Sequence, residues 1–188
     1  MDTEIMRLDL RVKRYDLELL GERAREIGYG EIAHKALYFL PLLPKGYKRA
    51  VLNKEVKKAL KRALALTDPR FREDFAMVEE FLGKILVKAL LLPEVRPFFE
   101  EGVKGYKEIE LQDEKGELHR VDRLVLTEQG PVVIDYKLGA RRKEHIAQVK
   151  RYQKLLSKIY GQKVCAYLFY LEEPILLDIE QIKQQPLI

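Results

Sequence analysis

The sequence predicts an α/β fold: a small mixed central sheet flanked by helices, with a helical N-terminal layer. Apolar residues recur at helical spacing through the first half of the chain. The residues from Glu108 to Lys137 read instead as strands. A second helical stretch then leads into the strand-like run Lys163 to Leu171, and helices interleaved with strands make a layered α/β core.

Residues 1–20 have two readings. Leu8, Leu10 and Val12 alternate like a strand, yet the charges between them also suit a linker entering a domain. Helical periodicity dominates from about Glu22 to Phe39 and from Asn53 to Leu66. Thr67-Asp68-Pro69 is a helix-start signal, followed by the core-facing stripe Phe71, Phe75, Val78, Leu82, Ile85 and Ala89. Pro93 ends that helix, and Phe98-Phe99 is expected to pack on the sheet as a short helix. Residues 1–188 read as one domain, mainly helical over 21–105 and an α/β core over 106–188.

The hairpin rests on turn chemistry. Asp113-Glu114-Lys115-Gly116 and Glu128-Gln129-Gly130-Pro131 bracket an alternating segment from Glu117 to Leu126, the glycines supplying positive φ. That alternation sets Leu118, Arg120, Asp122, Leu124 and Leu126 on one face. Pro131-Val132-Val133-Ile134 is the β-branched run of a central strand. Positions two apart share a strand face, so Asp135 and Lys137 point the same way and Asp122 can meet them from the neighbouring strand. In the helix that follows, Ile146, Val149, Leu156 and Ile159 form an apolar stripe. Glu144, Gln148 and Tyr152 lie four apart on an adjacent face.

Two carboxylates suit a hard divalent cation, and a lysine two residues away can orient the water such a cation delivers. A lone Asp-x-Lys is usually a solvated surface pair of little energetic weight. Asp135, however, directly follows a buried-type strand, where a carboxylate is costly unless paired or metal-bound. The arrangement reads as metal-dependent phosphodiester hydrolysis.

These residues resemble the RecB-like branch of the PD-(D/E)xK nuclease superfamily, the C-terminal nuclease domain of RecB- and AddA-type helicase–nucleases. The motifs that match, in order, are Gly30-Glu31-Ile32-Ala33-His34, Glu108-Ile109-Glu110-Leu111, Arg120-Val121-Asp122-Arg123, Asp135-Tyr136-Lys137-Leu138-Gly139 and Gln148-x-x-x-Tyr152. The resemblance implies a restriction-endonuclease-like core and a DNA nuclease of repair or recombination. It implies that His34, Asp122 and Asp135 ligate Mg²⁺ or Mn²⁺, with the Tyr136 carbonyl as a further ligand. Lys137 would position the attacking water and offset charge in the transition state, and Glu108 would support the metal or its water. Glu110, expected on the same strand face, is the alternative to Glu108. Gln148 and Tyr152 would order the site and contact the DNA backbone. The chain departs from the family pattern at His119, where glycine is usual, and at Leu138, where threonine is usual.

A chain of 188 residues with 47% hydrophobic and 35% charged residues suits one soluble domain, burying about 70% of its unfolded surface. Its apolar stretches are too short to span a membrane and no leader sequence opens it, so a cytoplasmic location is expected. The single Cys165 excludes a disulfide framework and a four-cysteine iron–sulfur cluster. There is no Gly-rich nucleotide loop, so ATP use by this chain is not supported.

Lys54, Lys57, Lys58, Lys61 and Arg62 crowd one helix and read as a solvated face. Arg141, Arg142, Lys143, Lys150 and Arg151, with Lys154 and Lys158, flank the proposed site, where phosphate attraction has a use. His145 reads as solvent-facing, His119 as a surface or rim residue, and His34, in isolation, as a packed helix residue. The expected partners are single-stranded DNA or duplex ends, and a helicase domain or subunit that feeds them. Two other functions fit the fold: a catalytically idle DNA-binding or protein-docking module, and a hydrolase of small phosphoesters. Intact Asp122, Asp135 and Lys137 weigh against the first, and the basic helix against the second.

Overall fold

The computed structural model describes residues 17–66 and 75–184. The Leu8–Val12 strand reading, the Thr67-Asp68-Pro69 signal and Phe71 lie outside the described residues. Three helices come first: α1 (Leu17–Phe39), α2 (Arg49–Ala65) and α3 (Phe75–Leu90). A 3-10 turn at Arg96–Phe98 leads into β1 (Lys104–Gln112), β2 (Leu118–Thr127) and β3 (Gly130–Lys137). Then follow α4 (Lys143–Tyr160), β4 (Cys165–Tyr170) and β5 (Ile175–Asp178).

The sheet runs in chain order, β1-β2-β3-β4-β5. Only β3 and β4 are parallel, and the other neighbours are antiparallel. Parallel neighbours need a crossover connection, which α4 provides. The hairpin turns form as the sequence predicts, with Gly116 at φ 84° and Gly130 at φ 119°.

Both faces of the sheet are covered, as the alternation on β3 requires. Val132, Ile134 and Tyr136 join the core built with α1, α2 and α3. Val133 faces the other way, into a core with Val149, Tyr152 and Leu156 of α4 and Leu168 of β4. Buried Arg123 ties the two layers together. Its Nε and Nη2 donate to the Phe98 carbonyl at 3.1 and 2.8 Å, and its guanidinium lies 4.3 Å from the centre of the Phe99 ring. Lys107 of β1 likewise reaches the end of α1, donating to the Tyr38 carbonyl at 2.8 Å and to that of Leu40.

The structure differs from the sequence expectation in several places. β1 begins at Lys104, because Lys104 to Lys107 find partners in Leu126 to Arg123 of β2. Leu118 is 69% exposed, since β3 pairs only with the stretch of β2 from Arg123 onward and leaves the start of β2 projecting. Ile159 is 63% exposed in the last turn of α4, and Tyr152 takes a core position instead. The short β5 lies beyond the predicted elements.

Candidate active site

The sheet ends its best-buried strand with the candidate site residues Asp135 and Lys137. On β3, Val132 to Tyr136 are buried and Lys137 is the first half-exposed residue. Asp135 and Lys137 share a face, the Lys137 ammonium lying 2.7 Å from Asp135 Oδ2. Tyr136 points the other way, into the helical layer, so only its backbone stands at the site. That backbone N–H donates to Asp122 Oδ2 at 2.8 Å, fixing the neighbouring strand's carboxylate. Asp122 Oδ1 in turn meets His34 Nδ1 at 3.1 Å. The helix α1 thus delivers an imidazole to the sheet's two carboxylates.

A polar chain orders the lysine. Lys137 Nζ donates to Gln148 Oε1 at 2.9 Å, and Gln148 Nε2 donates to the Tyr152 hydroxyl at 2.7 Å. An ammonium has only donors, so it selects the oxygen of the amide and leaves the NH₂ for the phenol. The Gln-x-x-x-Tyr spacing of four puts both side chains on one helical face, aimed at the end of β3.

Electrostatics separate the roles. Burial, reinforced by the negative charge of Asp122, pushes the Asp135 carboxyl up to about 6 against the opposing pull of Lys137. Burial alone would lower the His34 imidazole, but the hydrogen bond and charge of Asp122, with the charge of Asp135, outweigh it and raise it. Asp135 Oδ2 is buried, and the Lys137 ammonium 2.7 Å away is its charged neighbour. A buried carboxylate beside a second carboxylate and an imidazole is a donor set that fits a divalent cation. These donors are not drawn into one tight cluster. Among the described residues only Asp113, Glu117 and His119 bring three ligand atoms within 4.8 Å of one another. That group sits at the β1–β2 turn and forms a second possible acidic metal site. Asp113 Oδ1 there accepts from the N–H groups of Lys115 and Glu117, and Oδ2 meets His119 Nε2 at 3.0 Å.

The centre opens into a cleft of about 710 Å³, whose walls include His34, Tyr38, Glu108, Lys137, Arg142 and His145. Glu108 and Glu110 do not share an environment. Glu108 takes a left-handed conformation at φ 49°, across from Asp122, and lines the cleft, whereas Glu110 is exposed and pairs in register with Arg120. Arg141, Arg142, Lys143, Lys150 and Arg151 are all exposed. Arg142 stands on the cleft wall, and Arg141 lies 5.6 Å from the centre of the Tyr170 ring behind it. Lys150 instead flanks a separate hollow with Gln153, Ile179 and Glu180.

Of the other two histidines, His145 departs from its solvent-facing reading, and His119 is partly buried rather than on the open surface. His119 is held in the turn by Asp113, its ring 6.3 Å from that of Tyr152. His145 is half-buried, its Nδ1 3.1 Å from the Tyr170 hydroxyl. Its spacing of three before Gln148 was the one available signal, since that places both on the same helical side.

A mixed sheet ending in an Asp-x-Lys strand, with a second carboxylate alongside, defines a class of nuclease core. The chain belongs to the PD-(D/E)XK nuclease superfamily, whose profile matches residues 7–187. Among solved structures, it is similar to a repair endonuclease from Pyrococcus abyssi, at 24% identity over 52% of this chain and 42% of that one, with a TM-score of 0.36. It is also similar to the EndoMS–dsDNA2 complex, at 27% identity over 44% and 33% of the respective chains, with a TM-score of 0.32. The matched region therefore covers less than half the length of either. No curated protein matches the chain.

Proposed function

We propose that the protein is a divalent-metal-dependent DNA nuclease of the RecB-like branch, acting with a DNA-repair or recombination helicase, in the same chain or as a partner. The observation that carries this reading is the linked network at the end of β3. His34, Asp122 and the Tyr136 N–H lie on one side, and Asp135, Lys137, Gln148 and Tyr152 on the other. His34, Asp122, Asp135 and the Tyr136 carbonyl would hold Mg²⁺ or Mn²⁺, with Glu108 supporting from the cleft wall. When bound, the ion polarises a phosphoryl oxygen and lowers the pKa of water.

The chain's own groups do the rest. Lys137, fixed between Asp135 and Gln148, presents N–H donors to the attacking water and positive charge to the phosphoryl oxygens as they gain negative charge. Tyr152 holds Gln148, and Gln148 holds Lys137, so the ammonium is positioned before substrate arrives. The α1 helix and the loop from Leu138 to Arg142 both line the cleft, which would take a polynucleotide backbone. The intact lysine network favours an active enzyme over an idle binding module, because a module needs no ordered ammonium beside a buried carboxylate.

The test is an assay of end-labelled single- and double-stranded DNA with Mg²⁺, Mn²⁺ or EDTA. Cleavage that requires metal is expected. DNA binding without cleavage under any metal condition would favour the idle module. The cleavage products also report whether the enzyme works from ends or internally.

A further inference from the structure

We propose that His145 forms a phosphate subsite beside the centre, its Nε2–H donating to the phosphate next to the scissile one. This deepens the nuclease reading and rests on it. His145 lines the same cleft as His34, Lys137 and Arg142, yet none of the roles above uses it. It lies one turn before Gln148 on α4, and residues three apart on a helix have Cβ atoms about 5–6 Å from each other. Lys137 and His145 line one cleft, so a strand lying along it with its scissile phosphate at Lys137 would bring a neighbouring phosphate to His145.

The ring proton of His145 is assigned to Nε2, with Nδ1 facing Tyr170. The Tyr170 hydroxyl accepts from the backbone N–H of Arg142 and meets His145 Nδ1 at 3.1 Å. The phenol's one O–H is assigned to Nδ1, which leaves that nitrogen bare. The proton of a neutral imidazole is left on Nε2. Burial, with the nearby charges of Lys137 and Arg142, holds this imidazole below its usual pKa, so it stays neutral while remaining a donor. Tyr170 itself is fixed by register, paired with Lys137 across β3 and β4. The same pairing that sets the catalytic lysine thus sets the histidine's anchor. A neutral donor suits a flanking phosphate, because it orients the strand without competing for the charge that the centre must stabilise.

The test uses the full chain, labelled with ¹⁵N-histidine and titrated in EDTA with a single-stranded oligodeoxynucleotide at low salt. Before DNA is added, the His145 signals should report the Nε2–H tautomer. On saturation the Nε2–H resonance should shift. His145→Ala should weaken binding about tenfold, as loss of one hydrogen bond to a charged group implies. His145→Gln, which keeps an N–H donor, should recover most of it. An Nδ1–H tautomer, or a His145 signal unmoved at saturation, would overturn the proposal. So would an Ala variant that binds like the wild type. Because no metal is present, the readout does not depend on cleavage. A shift in a protein that cleaves nothing would retain the subsite and remove the nuclease reading, whereas cleavage without the shift would do the reverse.

Discussion

Asp135 ends a strand whose preceding residues are buried, and its own carboxyl is 2% exposed. Burial and the neighbouring Asp122 raise its pKa to about 6 in the folded protein, against roughly 3.9 in an unfolded chain. The folded state therefore binds this proton more tightly than the unfolded state does. The contribution to stability is full below the unfolded value and is lost as pH rises through the folded one, so at neutral pH the ionised group strains the metal-free fold. Asp135→Asn should then stabilise the metal-free protein at pH 7 by about 1–3 kcal/mol, while abolishing hydrolysis. Thermal unfolding should show a Tm higher by a few degrees, and a lower Tm would contradict the stated strain. The same protons compete with a cation. Calorimetric titration with Mn²⁺ should give an affinity that falls as pH drops through about 6, where Asp135 protonates, with the raised His34 adding to the loss.

At the scale of elements, β1 carries the irregularity that places Glu108. A non-glycine residue at φ 49° costs about 1–2 kcal/mol in backbone strain. Glu108→Gly should relieve that strain where Glu108→Ala cannot, so the glycine variant should unfold about 1 kcal/mol later than the alanine variant. Equal stability would mean that the left-handed turn is not strained. Both variants remove the carboxylate and should lose activity alike.

Much of this geometry was legible beforehand. The Asp-x-Lys pair, the crossing strand with Asp122 and the Gln-x-x-x-Tyr helix follow from periods of two and four. The Glu108 conformation was not, because nothing in Glu108-Ile109-Glu110 marks a left-handed residue, so Glu108 and Glu110 looked equivalent. Nor was β5, four residues whose pairing with β4 comes from tertiary context rather than from their own pattern. His145 was misjudged because charged neighbours suggested solvent, whereas its partner Tyr170 lies 25 residues away on another strand.

Across the whole molecule, net charge is +5, and the basic residues near the centre gather on the loop into α4 rather than along all of it. Lys57 and Lys58 on α2 pair with Glu79 and Glu55, as a solvated face would. Among the described residues, no helix is long and apolar enough to cross a membrane. Binding through phosphates should make affinity for single-stranded DNA fall with salt, at a log–log slope of about −0.7 per phosphate contacted. Replacing Arg141, Arg142 and Lys143 with Ala should flatten that slope and weaken binding equally across sequences, as fluorescence anisotropy would report. Lys150→Ala, placed on a different hollow, should change it least. Tight, salt-insensitive binding to one sequence would argue against a helicase-fed enzyme.

The central claim is that the end of β3 is a metal centre. A crystal structure of the protein loaded with Mn²⁺, with the ion located by anomalous scattering, tests it most directly. The account predicts one ion held by a His34 ring nitrogen and the carboxylates of Asp122 and Asp135, at about 2.0–2.3 Å, with the His34–Asp122 hydrogen bond broken. An ion bound only at Asp113, Glu117 and His119, with His34 still bonded to Asp122, would contradict it.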